Sequence, residues 1–353
     1  MTIIIFLLVL SLLVFVHELG HFAVAKLTGI RVEEFGFGYP PRLLTIARRG
    51  DTEYTLNAIP FGCFVRMLGE EDPTHPDSFA AKSKLVRAGA LLAGPLMNVV
   101  LAFIVLVGVR LVGFDIPIGS VAIIEVAPGS PAAKTDLQEG DVVLSIDGLS
   151  IRNTYELSRY TRERLGEEIT LRIRRDENTL SASLTPRQEW PVGQGPMGVT
   201  IQTVDIVGTE KLRYPLWEAI PMGATETVNV FLAIFSGIAQ IIQGTIAVDV
   251  ITGPVGIAQA TGEIARSGLV ALMYFVSYIS IQLAIFNLIP FPALDGGRLA
   301  FIALETLRGG KRVTPEKEGL IHLVGLIILI GLMLIVSYND VVRVLSGQPV
   351  LPP

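Results

Sequence analysis

The sequence predicts an α-helical polytopic membrane protein that carries one inserted α+β domain. Its composition is that of a membrane protein, with 50% hydrophobic and 17% charged residues over 353 positions and a mean hydropathy of +0.56. A net charge of −5 leaves no basic footprint for nucleic acid. About four transmembrane helices are expected, because a span takes about 20 apolar residues. The stretches that meet this length are 3–25, 86–112, 269–289 and 320–337.

The first stretch is predicted to be a retained span rather than a cleaved signal peptide. Ala23-Val24-Ala25 resembles a cleavage site, but no lysine or arginine precedes Lys26, so the basic region of a signal peptide is missing. Cleavage would also remove the one H-E-x-x-H pattern of the sequence. The first two spans form a predicted unit at residues 1–113, and the last two form another at 266–353.

A fifth apolar stretch, residues 219–242, is interrupted by polar side chains. Its apolar residues fall on one helical stripe, which favours an amphipathic helix in the membrane interface. We place this helix in a linker at residues 206–265. The stripe consists of Val228, Phe231, Leu232, Phe235, Ile238 and Ile242.

Basic residues predict the orientation in a cell membrane. The connection between the first two spans holds eight lysines and arginines, and the connection between the last two holds five. The positive-inside rule makes both connections cytoplasmic and places an insert at residues 117–205 outside. Four spans then deliver the residues after 289 to the cytoplasmic side, where the first span also ends. A crossing by residues 219–242 would send them to the opposite face.

The first span contains His17-Glu18-Leu19-Gly20-His21, the H-E-x-x-H zinc signature. Positions i and i+4 share one helix face, so both imidazoles can reach one Zn²⁺ ion, and Glu18 stands beside them as a candidate general base. Ionisable groups at membrane depth are costly and usually functional. Cys63 is the only cysteine, which excludes a cysteine-based zinc site. The pattern therefore predicts zinc-dependent hydrolysis inside the bilayer, toward its cytoplasmic side.

A catalytic zinc usually takes a third protein ligand. His75 and His322 are the other histidines, and each stands alone, which favours solvated or interfacial positions. Asp295 is the better candidate, because the prolines of Pro290–Pro292 cannot continue the third span and the chain must open there. Gly296-Gly297 permits a close approach of the backbone. Taken alone, Asp295 before two glycines favours a turn aspartate. Together with H-E-x-x-H at matching depth, the ligand role is favoured.

These motifs resemble the site-2 protease family of zinc intramembrane metalloproteases, in the bacterial subgroup that processes membrane-bound anti-sigma factors and related substrates. That family pairs H-E-x-x-H with N-x-x-P-x-P-x-L-D-G, which begins here at Asn287. The resemblance implies His17, His21 and Asp295 as zinc ligands. It also implies Glu18 as catalytic base and Asn287 as a residue that holds the substrate backbone.

A further pattern of that family, G-x-x-x-N, matches Gly94–Asn98 in the second span. The resemblance implies a substrate contact from Asn98. A close helix contact through small residues, with an incidental asparagine, is an equal alternative.

The resemblance also covers residues 54–68. Alternation there predicts strands and Gly62 predicts a turn, so we expect a hairpin at about residues 50–70. In the family this hairpin is membrane-associated, and its edge can pair with an unwound substrate. An ordinary cytoplasmic hairpin is the alternative. The implied substrate contacts are Phe64, Val65 and Arg66.

The insert resembles a PDZ domain of the bacterial protease type, on Ala127–Ala133 and Leu137–Val143. Asp136 stands where glycine is usual, and aspartate can adopt the left-handed conformation required. Binding of a peptide C-terminus, exclusion of bulky ectodomains and a spacer role all remain open.

The predicted function is an endopeptidase that cleaves transmembrane segments, such as pre-cleaved anti-sigma factors or remnant signal peptides, in regulated intramembrane proteolysis. Its expected partners are transmembrane substrates and the lipid bilayer. One alternative is a catalytically inactive PDZ-bearing membrane adaptor, against which the intact Glu18 argues. A zincin with a soluble active site is another, against which the apolar residues around His17 argue.

Overall fold

The computed structural model describes residues 1–70, 72–191, 193–245 and 252–346. The chain divides into two compact units. The bundle unit combines Met1–Val112 with Pro215–Pro353, and the insert runs from Gly113 to Tyr214. In chain order the elements are α1 (Thr2–Leu27), β1 (Val32–Arg49), β2 (Thr52–Met67), α2 (Lys84–Val112), β3 (Phe114–Val126), β4 (Val142–Ile146), β5 (Leu149–Ser150), α3 (Thr154–Glu163), β6 (Ile169–Arg175), β7 (Asn178–Leu184), β8 (Val199–Leu212), α4 (Leu216–Ile242), α5 (Pro254–Arg266), α6 (Leu269–Leu288), α7 (Asp295–Leu307) and α8 (Pro315–Leu345).

Within the described residues, five helices are long and apolar enough to cross a membrane, namely α1, α2, α4, α6 and α8. Four of them correspond to the predicted spans. Helix α8 begins earlier than its apolar stretch, because Pro315 suits a first helical turn and the two acidic residues of that turn favour a helix N-terminus.

Helices α1 and α2 lie antiparallel and very close together. His17 contacts Asn98, and His21 contacts Ala90, so the sequence of α1 runs against that of α2. Gly20 makes this approach possible, since a Cβ there would lie 2.3 Å from a backbone oxygen of α2. Small residues serve this purpose where lipid supplies no hydrophobic drive between helices.

Helix α4 packs lengthwise along α2. Its packed face contains a glycine at the closest approach, where a Cβ on Gly223 would lie 2.6 Å from the Val107 side chain. The predicted apolar stripe is largely on the other side, where Val228, Leu232 and Phe235 are exposed. The face that packs on the protein is therefore different from the one the periodicity indicated. Its buried members are Ala219, Thr227 and Ile234.

After α4 the chain returns to the end of the bundle at which α2 finishes and α4 begins. In the first half of α4, Glu226 lies 3.7 Å from Arg110 at the C-terminal end of α2. Helix α5 packs against Thr2 of α1, and Asp340 of α8 accepts the Gly256 N–H of α5 at 2.8 Å. Because α1 and α2 are antiparallel, Thr2 and Arg110 mark one end of the bundle.

The hairpin is longer than the sequence predicted. β1 and β2 pair antiparallel, and their turn lies at Gly50-Asp51. The predicted turn at Gly62 is wrong, because Gly62 lies inside β2 with φ +77°. A Cβ there would lie 2.6 Å from the Tyr39 ring. The sequence did not predict β1 as a strand, because its Pro40-Pro41 pair argues against a continuous strand.

The insert is an α+β domain whose sheet has the order β7-β6-β4-β3-β8, with β5 paired to β4. β6 alternates strictly, with Ile169, Leu171 and Ile173 buried between exposed residues. These side chains share the core with Leu157 of α3. Asp136 has φ +61°, which confirms the left-handed conformation expected there.

The insert extends beyond the predicted limits of 117–205. The pairing of β3 with β8 begins at Phe114, which lies opposite Leu212. Both strands therefore belong to the unit, which spans residues 113–214.

Candidate active site

The two histidines of α1 and Asp295 at the start of α7 converge on one point. Oδ2 of Asp295 lies 3.1 Å from Nε2 of His17 and 3.4 Å from Nε2 of His21. The two Nε2 atoms are 3.1 Å apart. The ligand atoms of the three residues all lie within 4.8 Å of one another. Both histidines are buried and Asp295 is mostly so.

These three residues fit a zinc ion. Oδ2 of Asp295 is buried and has no hydrogen-bond partner in the part of the chain that the structure describes. A buried carboxylate oxygen is costly unless it is paired or binds a metal. Two imidazole nitrogens and one carboxylate oxygen form a donor set of catalytic zinc, which leaves a position for water.

The tautomer of His21 is determined by α2. Its Nδ1 lies 2.7 Å from the carbonyl oxygen of Ala90. A carbonyl only accepts, so Nδ1 carries the proton and the lone pair of Nε2 faces the metal position. Hydrogen bonds of this kind orient metal ligands and raise their basicity.

Asn98 does the same for His17. Its side-chain amide lies 3.3 Å from Nδ1 of His17, with Nδ2 as the nearer atom and Oδ1 buried without a partner. The flipped amide presents Oδ1 to the Nδ1 proton and satisfies both groups. Asn98 is fully buried behind a predicted ligand. In the structure its amide contacts His17, and the predicted substrate contact from Asn98 stays a prediction.

Gly94 makes room for both imidazoles. A Cβ there would lie 2.3 Å from Nε2 of His21 and 2.8 Å from Cε1 of His17. Both ends of the Gly94–Asn98 pattern thus serve the histidines, one by its missing side chain and one by its amide. The spacing alone could not distinguish this arrangement from a general helix contact.

Glu18 is held by the hairpin. Its Oε2 accepts the backbone N–H of Val65 at 3.1 Å, while Phe35 of β1 lies opposite Val65 across the strand pair. The end of β2 therefore reaches Glu18, the predicted catalytic base, with one backbone donor. Cys63 lies two residues earlier, and burial raises the pKa of its thiol to about 11, so it is no thiolate at neutral pH.

The other predicted hairpin residues have partners inside the hairpin. Arg66 lies 3.3 Å from Glu33 and 3.0 Å from Glu34. Phe64 stacks on Tyr39. Of the three predicted contacts, the structure brings Val65 to the site.

Asn287 is occupied on one side by its own helix, where Nδ2 donates to the carbonyl oxygen of Leu283 at 3.0 Å. Its substrate contact stays a prediction.

The close approach expected at Gly296-Gly297 is present, since a Cβ on Gly296 would lie 2.2 Å from the carbonyl oxygen of Ile289. His75 is exposed as expected, whereas His322 accepts the Ala293 N–H at 2.9 Å, in the turn that precedes Asp295. An isolated histidine in an apolar span gave no signal of that contact.

The sequence profile of peptidase family M50 matches residues 5–332, a range that contains both motifs. The chain belongs to peptidase family M50. Zinc metalloprotease RasP of Geobacillus kaustophilus is 31% identical to this M50 peptidase over 97% of the chain and 98% of that protein. Regulator of sigma-W protease RasP of Bacillus subtilis is 29% identical over 97% and 99%.

This M50 peptidase is accordingly a zinc metalloprotease, and its long apolar helices make it a multi-pass membrane protein. The PDZ domain of an SdrC-like protein from Listeria monocytogenes is 21% identical to it. That likeness covers 24% of this chain and 90% of the solved one, with a TM-score of 0.22, which is too low to establish a fold.

Proposed function

We propose that this M50 peptidase is a zinc-dependent intramembrane endopeptidase that cleaves transmembrane segments of membrane proteins. One observation carries the proposal: His17, His21 and Asp295 converge on one point inside the bundle, and Glu18 follows His17 in the same apolar helix. A site built this way receives a substrate that is itself in the membrane.

The chemistry divides among the residues of the site. Zinc held by the three ligands would polarise the attacking water and the scissile carbonyl. Glu18 would take the proton of the water and deliver it to the leaving amine. The Val65 N–H holds one carboxylate oxygen of Glu18, so the other is the one that faces the reaction. Asn98 and the Ala90 carbonyl keep both imidazoles in the ligating tautomer.

Substrate must unwind before it is cut, because a helix buries its carbonyls in i to i+4 hydrogen bonds. Exposed backbone groups are costly in hydrocarbon unless they find new partners. The described residues show no hydrogen bond to Oδ1 of Asn287, and the end of β2 offers backbone groups next to Val65. Since the Val65 N–H already serves Glu18, a paired substrate strand would use its neighbours or displace that bond.

We infer that four helices cross the membrane and that α4 enters the bundle beside α2 without a net crossing. The return of the chain to the Thr2 end by α5 supports this topology. It places the insert outside and the metal site toward the cytoplasm. In a Cys63→Ser background, cysteines at Asn178 and Leu345 should be labelled from outside, and one at Gly310 from the cytoplasm. Outside labelling at Gly310 would contradict the topology.

The substrate class follows from the relatives and the resemblance. A relative is named a regulator of sigma-W protease, which supports pre-cleaved anti-sigma factors or remnant signal peptides as substrates. We assign the insert, as a PDZ domain, to peptide binding or to exclusion of bulky ectodomains.

The test is cleavage of a transmembrane substrate by purified protein, wild type against Glu18→Gln. Loss of the base should reduce turnover by roughly 10²- to 10⁴-fold, with about one zinc per chain retained. Gly or Pro near the scissile bond should speed cleavage, and a Leu run should slow it. Equal rates would reject the unwinding step, whereas full activity of Glu18→Gln would favour an adaptor with a contaminating protease.

A further inference from the structure

The turn that presents Asp295 is held from outside its own backbone. Ala293, two residues before Asp295, has φ +79°, a conformation that residues with a Cβ rarely adopt. Its N–H has no backbone acceptor among the residues described. It donates instead to Nδ1 of His322 on α8, at 2.9 Å.

Helix α8 meets the same turn at a second point. Gly325 lies three residues after His322, on the same helix face, and a Cβ there would lie 2.3 Å from Cβ of Pro292 and 2.7 Å from its carbonyl oxygen. The His322 ring also lies beside Phe301 of α7, with ring centroids 5.4 Å apart. The imidazole thus lies between the turn, α7 and its own helix, in contact with Ala293 and Phe301.

The hydrogen bonding of His322 is one-sided. Because Nδ1 accepts the Ala293 N–H, the proton of the neutral ring is on Nε2. That Nε2 is buried and has no hydrogen-bond partner within the described ranges. An unpaired buried donor is a cost. The free energy of folding therefore does not by itself explain a histidine at this position. What the histidine contributes is the acceptor for the Ala293 N–H.

We propose that His322 is a positioning residue of the zinc site. Its Nδ1 fixes the Ala293 turn from which Asp295 reaches His17 and His21. The proposal rests on the proposed function, in which Asp295 is a zinc ligand. It predicts an effect on metal retention of the kind that outer partners of ligands exert, although the contact is made through the backbone.

Three variants of the full-length protein test the role of the acceptor. His322→Leu removes it and keeps apolar bulk. His322→Asn keeps an acceptor at the position of Nδ1. His75→Leu is the matched control, because Nδ1 of His75 also accepts a backbone N–H, that of Asp77 at 3.1 Å, in an exposed loop.

Zinc retention against a chelator should fall roughly tenfold or more in His322→Leu, return to within about threefold of wild type in His322→Asn, and stay unchanged in His75→Leu. The value of kcat should follow zinc retention while KM stays constant, since the turn holds the metal ligand rather than substrate. Melting of the metal-free protein reports any general loss of packing.

The proposal is overturned if His322→Leu lowers only the melting temperature and keeps zinc and kcat, or if Asn fails as Leu does. Asp295→Ala in the same assay separates the two levels of inference. If it retains zinc, the ligand assignment has failed. If it loses zinc while His322→Leu retains it, the positioning role alone has failed.

Discussion

Each of the two units buries an aspartate, and the two are used in opposite ways. In the insert, Asp141 receives hydrogen bonds from Arg175 at 2.7 and 2.8 Å and from the Gln138 N–H at 2.9 Å. In the bundle unit, Oδ2 of Asp295 has no hydrogen-bond partner among the described residues and faces two imidazole nitrogens. A buried carboxylate with all its partners present is structural. One aimed at other ligands without a donor is poised for a metal.

The same contrast extends to the residues around each aspartate. Around Asp141 the strands alternate and the core is apolar, so the carboxylate joins loop to sheet. Around Asp295 two polar groups of α2 face the imidazoles, Asn98 on His17 and the Ala90 carbonyl on His21. Buried polar groups are expensive inside a membrane, so their presence beside both imidazoles fits the chemistry proposed there.

Replacing each of the two aspartates by alanine gives the largest expected effect. Asp295→Ala should lose most of its zinc and lower turnover by more than about 100-fold, beyond what outer partners of ligands cause. Asp141→Ala should keep zinc and instead lower the melting temperature of the insert. Zinc analysis and calorimetry of both variants measure this. Wild-type zinc content in Asp295→Ala would remove the basis of the contrast.

Space around the imidazoles is the next feature to test. Gly94→Ala puts a methyl group into the rings of His17 and His21, so zinc retention should fall roughly 10- to 100-fold. Gly89→Ala is the control in the same helix, because a Cβ there meets nothing within 4 Å. Chelator competition compares the two. Equal retention in both would mean that the ligands adopt another arrangement.

Removing the Asn98 amide that contacts His17 should have a smaller effect on zinc retention. Asn98→Leu removes the acceptor for the Nδ1 proton and should weaken zinc retention about tenfold. Ser280→Ala removes a donor to the backbone oxygen of Asn98 but leaves the amide in place, so it should retain zinc. If the two variants behave alike in the chelator assay, Asn98 acts through helix packing and not through the imidazole.

The smallest effect is a pH dependence confined to the insert. Burial alone would raise the pKa of Asp141, but the hydrogen bonds from Arg175 and Gln138 lower it below its usual value. A lowered folded pKa stabilises above the unfolded pKa of about 4, and this contribution is lost as pH falls through the folded pKa. Wild-type melting temperature should therefore drop below about pH 4 more steeply than that of Asp141→Asn.

Unfolding of the insert can be followed through Trp190 in a Trp217→Phe background. Parallel pH curves for the wild type and Asp141→Asn would show that the carboxylate contributes nothing, and the structural half of the comparison would fail.

The sequence by itself determined the local features of this protein. A 3.6-residue period puts His17 and His21 on one helix face, and long apolar stretches predict the spans, because both properties depend only on neighbouring residues. Asp295 could be proposed because prolines and glycines open the chain around it. The left-handed Asp136 was also readable, since its conformational cost is local.

Only the tertiary structure decided which distant groups meet. Asn98 behind His17, the Val65 N–H on Glu18 and His322 on the Ala293 turn are contacts across elements, and nothing in the spacing of either partner encodes them. The hairpin register and the packed face of α4 belong to the same class. Pairing partners and neighbouring helices select among several faces that local propensity leaves equally good.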